Sequence, residues 1–213
     1  MKLIFTTFAL ICSTFLFAQK NDPQAKALLD QVSANYKNLK TVQGNYNLVV
    51  TTRAGKVAGK KSGKVFIKGN RFKVTEPSME IISDGNKVWK YEADANEVLV
   101  SNVETGMNGL TPQKLFTNFY DKDFLYKLNG HVSVDGKRLR EIEMTPTDKR
   151  KNFFKVYLYV DEAKKMIVSS KIYENNGNIY NYNLSNIVTN GNLADNLFVF
   201  DAKNHPGVDV INQ

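Results

Sequence analysis

From residue 42 to residue 188 the chain repeatedly alternates apolar and polar residues over a short stretch and then meets a turn-forming group. The turn groups are Arg53-Ala54-Gly55-Lys56, Gly69-Asn70, Asp84-Gly85, Asp135-Gly136 and Asn175-Asn176-Gly177. Alternation is the period of a β-strand with one buried face. Connections this short leave no room for the crossover that a parallel pair needs, so the pattern dictates an antiparallel meander. The stretch 79–91 lies near its middle. There Asp84-Gly85 is expected to supply the positive backbone angles of a tight hairpin turn. Beyond that turn Lys87, Trp89 and Tyr91 alternate with Val88 and Lys90. Trp89, the chain's one tryptophan, therefore sits on one face of that strand together with Tyr91.

Two helices interrupt the strands. Asp22-Pro23 is a cap followed by proline at the first helical position. Ala25, Leu28, Leu29, Val32, Tyr36 and Leu39 then recur at helical spacing, with an end expected near Lys40. A second start is Thr111-Pro112, followed by Leu115, Phe116, Phe119 and Tyr120, a heavy apolar load for a short helix. Including the hairpin strands, the runs at 42–51, 60–74, 98–100, 126–144, 154–173 and 178–188 make about ten or eleven strands. The fold class expected is mainly β (α+β): a curved antiparallel sheet with helices packed on it.

Ahead of all this, Lys2 precedes an almost wholly apolar run over 3–17, which ends at Ala18 and gives way to Gln19-Lys20-Asn21-Asp22. The apolar core is too short to span a bilayer, and the pattern is that of a cleaved secretory signal. Residues 1–18 are therefore expected to be removed and 19–213 to act as one exported domain. The single cysteine, Cys12, lies inside the leader behind Ile11, a poor context for lipid attachment. The mature chain then has no disulfide and no thiolate nucleophile or metal ligand.

The formal charge is +8. Its lysines are spread along every strand instead of gathering into a patch, which argues against nucleic acid. His131 and His205 lack partners at metal or triad spacing, and no phosphate loop, nucleophile elbow or zinc-helix motif occurs. The acid pairs Asp121/Asp123 and Asp161/Glu162 sit in turn contexts, where acids are common. No catalytic residue, metal site or cofactor is therefore expected, with a hydrolase assembled from distant residues as the least favoured alternative. The chain is instead rich in aromatic mass, with 13 Phe, 10 Tyr and 1 Trp. One sheet and two short helices cannot easily bury so much as a second layer. A curved sheet half-covered by helices would leave an apolar hollow suited to acyl chains.

Taken in order, several segments carry a family resemblance. They are the helix from Asp22, Tyr46 in the first strand, Gly63-Lys64-Val65-Phe66-Ile67-Lys68, and Phe72. They continue with Ile82-Ser83-Asp84-Gly85-Asn86-Lys87-Val88-Trp89-Lys90-Tyr91, Thr111-Pro112, Leu197-Phe198-Val199-Phe200 and Pro206-Gly207-Val208. The mature chain resembles the periplasmic outer-membrane lipoprotein carrier proteins, the LolA family, over nearly its full length. The resemblance implies an incomplete antiparallel β-barrel whose open, apolar concave side is covered by helices, and a chaperone that shields the acyl chains of lipoproteins and moves them from the inner to the outer membrane. Its implied partners are acylated lipoproteins as cargo, an inner-membrane lipoprotein-releasing ABC transporter and an outer-membrane acceptor, with the carrier a monomer. A carrier of another lipid or lipid-linked small molecule on the same fold is the alternative. Residue by residue, Tyr46, Leu48, Val65, Ile67, Phe72, Met79, Ile81, Trp89, Tyr91, Val156 and Leu158 would line the cavity. Leu115, Phe116 and Phe119 would form the underside of a lid helix. One position departs from the family pattern. Gly69 stands where well-known members carry an arginine that holds the lid closed, and Arg71 is the nearby substitute.

Overall fold

The computed structural model describes residues 21–103 and 120–213. The expected leader and the expected second helix with Leu115, Phe116 and Phe119 lie outside the described residues.

The chain begins with α1 (Pro23–Asn38). Asp22 is its N-cap, accepting from the backbone N–H of Gln24 at 2.8 Å and of Ala25 at 3.4 Å. Leu39 leaves the helix in extended conformation. Eleven strands follow in chain order. The first six are β1 (Val42–Thr51), β2 (Val57–Lys68), β3 (Arg71–Glu76), β4 (Met79–Ser83), β5 (Lys87–Glu92) and β6 (Glu97–Asn102). After the helical turn α2 (Tyr120–Asp123) come β7 (Phe124–Val134), β8 (Lys137–Pro146), β9 (Phe153–Asp161), β10 (Met166–Glu174) and β11 (Ile179–Thr189). A tail with two short 3-10 turns, Asp195–Phe198 and Ala202–Asn204, leads to a twelfth strand, β12 (Asp209–Asn212).

The twelve strands among the described residues form one sheet in the order β12-β6-β5-β4-β3-β2-β1-β11-β10-β9-β8-β7. The edges β12 and β7 do not meet, so the expected incomplete barrel is an open sheet. The strand count is one more than expected because β12 pairs with β6 in parallel, a contact that no short turn announces. Register breaks between Gln43 and Asn45 and between Leu128 and Gly130 introduce bulges, which bend strands and increase their coiling.

Residues directly opposite across a strand pair share a face, so the register sorts every side chain. One face carries α1. Its stripe Ala25, Leu28, Leu29, Val32 and Tyr36 joins Tyr126, Ile142, Met144, Val156, Leu158 and Val160 in a single buried core over β7–β10. Each fully buried aliphatic side chain contributes roughly 1.5–3 kcal/mol. The helix is also tied by its backbone. The Asp22 N–H donates to the Tyr126 carbonyl at 3.1 Å, and the Asp22 carboxylate accepts from the Leu128 N–H at 3.0 Å. Asn21 accepts from the Tyr126 N–H.

The opposite face of β3–β6 is covered by the tail. Phe198 is fully buried there and receives the Arg71 guanidinium over its ring. Phe200 and His205 pack on Tyr91, with ring centroids 5.5 and 4.2 Å away. This half of the sheet is thus packed on its tail face as well.

One glycine is set by close approach. On the helix face Tyr46 stands opposite Gly63 of β2. A Cβ at Gly63 would run into the Thr75 carbonyl and come within 2.9 Å of the Tyr46 ring. The bare backbone lets that ring cross β2 and donate its hydroxyl to Glu76 on β3.

Two outcomes follow from these contacts. Replacing Gly63 with alanine should destabilise the protein by about 1–3 kcal/mol. Gly59→Ala on the same strand, where a Cβ meets nothing within 4 Å, should be nearly neutral in the same urea titration. Asp22→Ala should cost about 1–2 kcal/mol through loss of the cap and the Leu128 bond. The Leu128 N–H, with the Gln24 and Ala25 N–H groups, holds the Asp22 carboxyl below its ordinary value of 3.8. Its contribution is therefore complete above the unfolded value and lost as pH falls through the folded one. Urea midpoints measured from neutral pH down into the acid range should fall less steeply for Asp22→Asn than for the parent.

Candidate functional site

Because α1 occupies the β7–β10 half of its face, the β1–β6 half of the same face is the place to look for binding. Successive ladder partners form cross-strand rows. The first row runs Val42, Ile67, Phe72, Ser83, Val88, Ser101. It is deeply buried: Phe72 and Ser83 are 0 % exposed and Val88 3 %. The Ser83 hydroxyl accepts from the Gly85 N–H. Two residues further along each strand the row becomes Gly44, Val65, Val74, Ile81, Lys90, Leu99, whose aliphatic members are half-buried. The third row holds Tyr46 and Gly63 on one side and Glu76, Met79, Glu92 and Glu97 on the other.

This third row is held by polar contacts. The Tyr46 hydroxyl donates to Glu76 Oε1, while Lys61 Nζ lies 3.0 Å from Glu76 Oε2. Lys90 Nζ lies 2.6 Å from Glu92. Burial, and then the neighbouring Glu76 carboxylate, push the Tyr46 hydroxyl well above the ordinary phenol range, which keeps it a donor at neutral pH. The face therefore grades along the strands from dry and apolar to charged.

Seven of the expected residues stand on this face: Tyr46, Leu48, Val65, Ile67, Phe72, Met79 and Ile81. Four others are placed differently. Trp89 pairs with Ile82 and Val100, and Tyr91 with Glu80 and Val98, which puts both on the tail face. The reason is the turn. Ser83 pairs with Val88, so the loop between them is four residues long, with Asp84 Oδ1 accepting from the N–H groups of Asn86 and Lys87. A loop with an even number of residues sets odd positions of one strand against even positions of the other. Val156 and Leu158 do lie on the helix face, but at 3 % and 1 % exposure they are sealed beneath α1. Arg71 points away from this face. It stands opposite Lys68 on the tail face, where both reach Asp195, at 3.0 and 2.7 Å.

The third-row network involving Glu76 and Lys61 was missed by sequence reasoning. Gly63, out of place in a strand, was its one visible signal. The histidines lie elsewhere. His131 sits between Glu162 at 3.1 Å and Arg138 at 3.2 Å on β7–β8, and His205 stacks on Phe200 in the tail. Among the described residues, no three His, Cys, Asp or Glu side chains are grouped to hold a metal ion. No helix among those residues is long and apolar enough to cross a membrane.

With this geometry in hand, comparison with known proteins is informative. The chain is 26% identical over 214 residues to an outer-membrane lipoprotein carrier protein of Legionella pneumophila (strain Corby), covering 100% of both chains. It is 32% identical over 168 residues to the protein of that name from Haemophilus influenzae, covering 77% of each. Among solved structures, an uncharacterized conserved protein from Thermus thermophilus has the same fold. It superposes with a TM-score of 0.61 at 14% identity, over 89% of this chain and 99% of that one. MucB gives 0.53 at 14% identity, over 85% and 64%. The sequence model of the family described as "Outer membrane lipoprotein carrier protein LolA" matches residues 37–201. That match takes in the strands of the graded face and the first part of the tail behind them, and the chain belongs to the outer-membrane lipoprotein carrier family, LolA.

Proposed function

We propose that this protein is a periplasmic carrier that shields the acyl chains of lipoproteins on the β1–β6 half of its helix face and moves them from the inner to the outer membrane. In this reading residues 1–18 are removed near Ala18, and residues 19–213 act as a monomeric single domain with no catalytic step. Cargo comes from an inner-membrane lipoprotein-releasing ABC transporter and passes to an outer-membrane acceptor.

The observation that carries the reading is the half-buried aliphatic row Val65, Val74, Ile81 and Leu99 on a face whose other half α1 has filled. Each methylene of an acyl chain gains about 0.8 kcal/mol on leaving water, so a multiply acylated protein cannot cross an aqueous compartment exposed. A carrier has to offer apolar surface of its own to match. It must also part with the chains at the acceptor, which a half-covered sheet permits and a sealed core does not.

The test uses positions where a charge does not unfold the protein. Phe72 is fully buried and unsuited; Val65 and Ile81 are half-buried. Val65→Glu and Ile81→Glu should each keep the parent's thermal transition within a few degrees. Each should reduce lipoprotein release from inner-membrane vesicles at least about tenfold, since a carboxylate desolvated against acyl chains costs more than about 1.4 kcal/mol. Asn47→Glu on the tail face is the control. Unchanged release by both helix-face variants would rule the assignment out. Mass spectrometry of the natively purified protein should find acylated polypeptide; free lipid alone would move the cargo to another class.

A further inference from the structure

Along the strands the cations are dispersed, but at one end of the sheet three neighbouring turns gather them. The β1–β2 turn carries Arg53 and Lys56, and the β8–β9 turn carries Lys149, Arg150 and Lys151. The β10–β11 turn lies between and ties them together. Asn175 donates from its side chain to the Lys151 carbonyl at 2.9 Å and from its backbone to the Asn152 carbonyl at 2.8 Å. Residues 175–178 also share one cleft with Thr52, Arg53 and Ala54. Two acids beside these turns are already engaged. Asp148 pairs with Arg150 at 2.8 Å, and Glu174 accepts from the amides of Asn152 and Asn176 at 3.1 and 2.8 Å. In α2, bonded to Thr147, Lys122 offsets Asp123 and Lys26 pairs with Asp121. Arg53, Lys56 and Lys149 are exposed and, among the described residues, have no carboxylate partner.

Directly below the turns, on the face away from α1, runs a strip of apolar groups. Lys155, Tyr173, Ile179, Thr51 and Val57 stand opposite one another across β9, β10, β11, β1 and β2. Phe154 joins the strip, its ring 6.1 Å from that of Tyr173. Phe154 at 50% and Val57 at 49% exposure leave large apolar groups open at its two ends. The tail's ring contacts on this face lie at Arg71 and Tyr91, over β3 and β5. We infer that this end of the sheet docks the protein on an anionic bilayer, with the strip in the head-group layer and the turn cations among the lipid phosphates. The contact needs no cargo, so it goes beyond the carrier reading and stands independently of it.

The side-chain chemistry fits a lipid surface. Aromatic rings settle at the level of the head groups, and long cationic side chains keep their charge in water while their stems cover apolar surface. Each Lys or Arg held near an anionic surface strengthens binding about fivefold. The five strands under the strip are all interior to the sheet, so no open backbone edge is offered to a peptide. What remains is apolar insertion and diffuse positive charge, and an anionic bilayer complements both.

The test is cosedimentation of the 19–213 protein with vesicles of phosphatidylcholine alone or mixed with an equal part of phosphatidylglycerol. Binding should appear with the mixed vesicles at low salt and be lost at about 1 M salt, where the screening length shrinks to about 3 Å. The double variant Arg53→Ala/Lys149→Ala should weaken it about twenty-five-fold. Phe154→Ser should weaken it about three- to tenfold, the worth of half a buried aromatic side chain. Lys137→Ala/Lys164→Ala removes the same charge from exposed turns at the opposite end of the strands and should bind as the parent does. No binding of the parent to the mixed vesicles would overturn the assignment in favour of an acidic protein partner. Equal loss in both double variants would overturn it too, since net charge alone would then explain the attraction. Loss of vesicle binding in Val65→Glu would move the contact to the helix face and overturn it likewise. Each of these failures leaves the carrier reading standing on its own test, lipoprotein release.

Discussion

The seating of α1 on β7–β10 is the interaction on which the rest of this structure depends. It does two jobs with one set of contacts. The apolar stripe of Leu28, Leu29, Val32 and Tyr36 closes a core that β7–β10 could not close alone. Asn21 and Asp22, just ahead of the helix, bond the backbone of Tyr126 and Leu128 on the free edge of β7. An edge strand left with open N–H and C=O groups invites pairing with other chains, and here both groups of Tyr126 and the Leu128 N–H are occupied. The other edge is handled by the chain's opposite end. There β12 pairs with β6, and the Gln213 N–H donates to the Val100 carbonyl. The sheet thus stays open with β6 paired and one end of β7 tied to the start of α1.

Much of this was legible in the sequence. Asp22-Pro23 and the spacing of Leu28, Leu29, Val32 and Tyr36 placed α1 to within two residues of its observed ends. Gly69-Asn70 and Asp135-Gly136 marked two-residue turns, with Lys68 opposite Arg71 and Val134 opposite Lys137. These pairs read well because two-residue hairpins need positive φ, and few residue types tolerate it. Asp84-Gly85 has the same composition and a different outcome. The Asp84 side chain captures two further backbone N–H groups and lengthens the turn to four residues. The competing side-chain geometry left no mark in the pattern of residue types.

What failed was the assignment of faces, for a general reason. Alternation identifies an inner face only where the other face meets water. In β5 both faces are covered, so Val88 and Trp89 are both apolar and alternation alone does not say which faces inward; the even loop after Ser83, whether of two residues or four, is what sets Trp89 with Ile82 and not with Ile81. The covering tail lies about a hundred residues away in sequence, beyond the reach of a local pattern. The same distance hid the fate of Val156 and Leu158. Their strand positions were read correctly as facing inward, but whether an inward residue lines a hollow or meets a helix depends on where α1 comes to rest. Arg71 belongs with these cases. Its partner Asp195 is contributed by the tail, so a charge that looked available from sequence is already committed.

The two coverings together explain how a single sheet can offer a usable face at all. A sheet bared on one side and solvated on the other would need its apolar side fully covered to be stable. Here the tail packs Phe198 behind β3 and Phe200 and His205 behind Tyr91, so the wall formed by β3–β6 is stiffened from behind. Its stability then does not rest wholly on the helix face. Val65, Val74, Ile81 and Leu99 can stay half-buried because the burial that holds their strands together is supplied on the reverse side, by Ile82, Val98 and Val100. A wall braced in this way can meet an apolar cargo and part from it without unfolding, and that separation of stability from binding is what a reversible carrier requires.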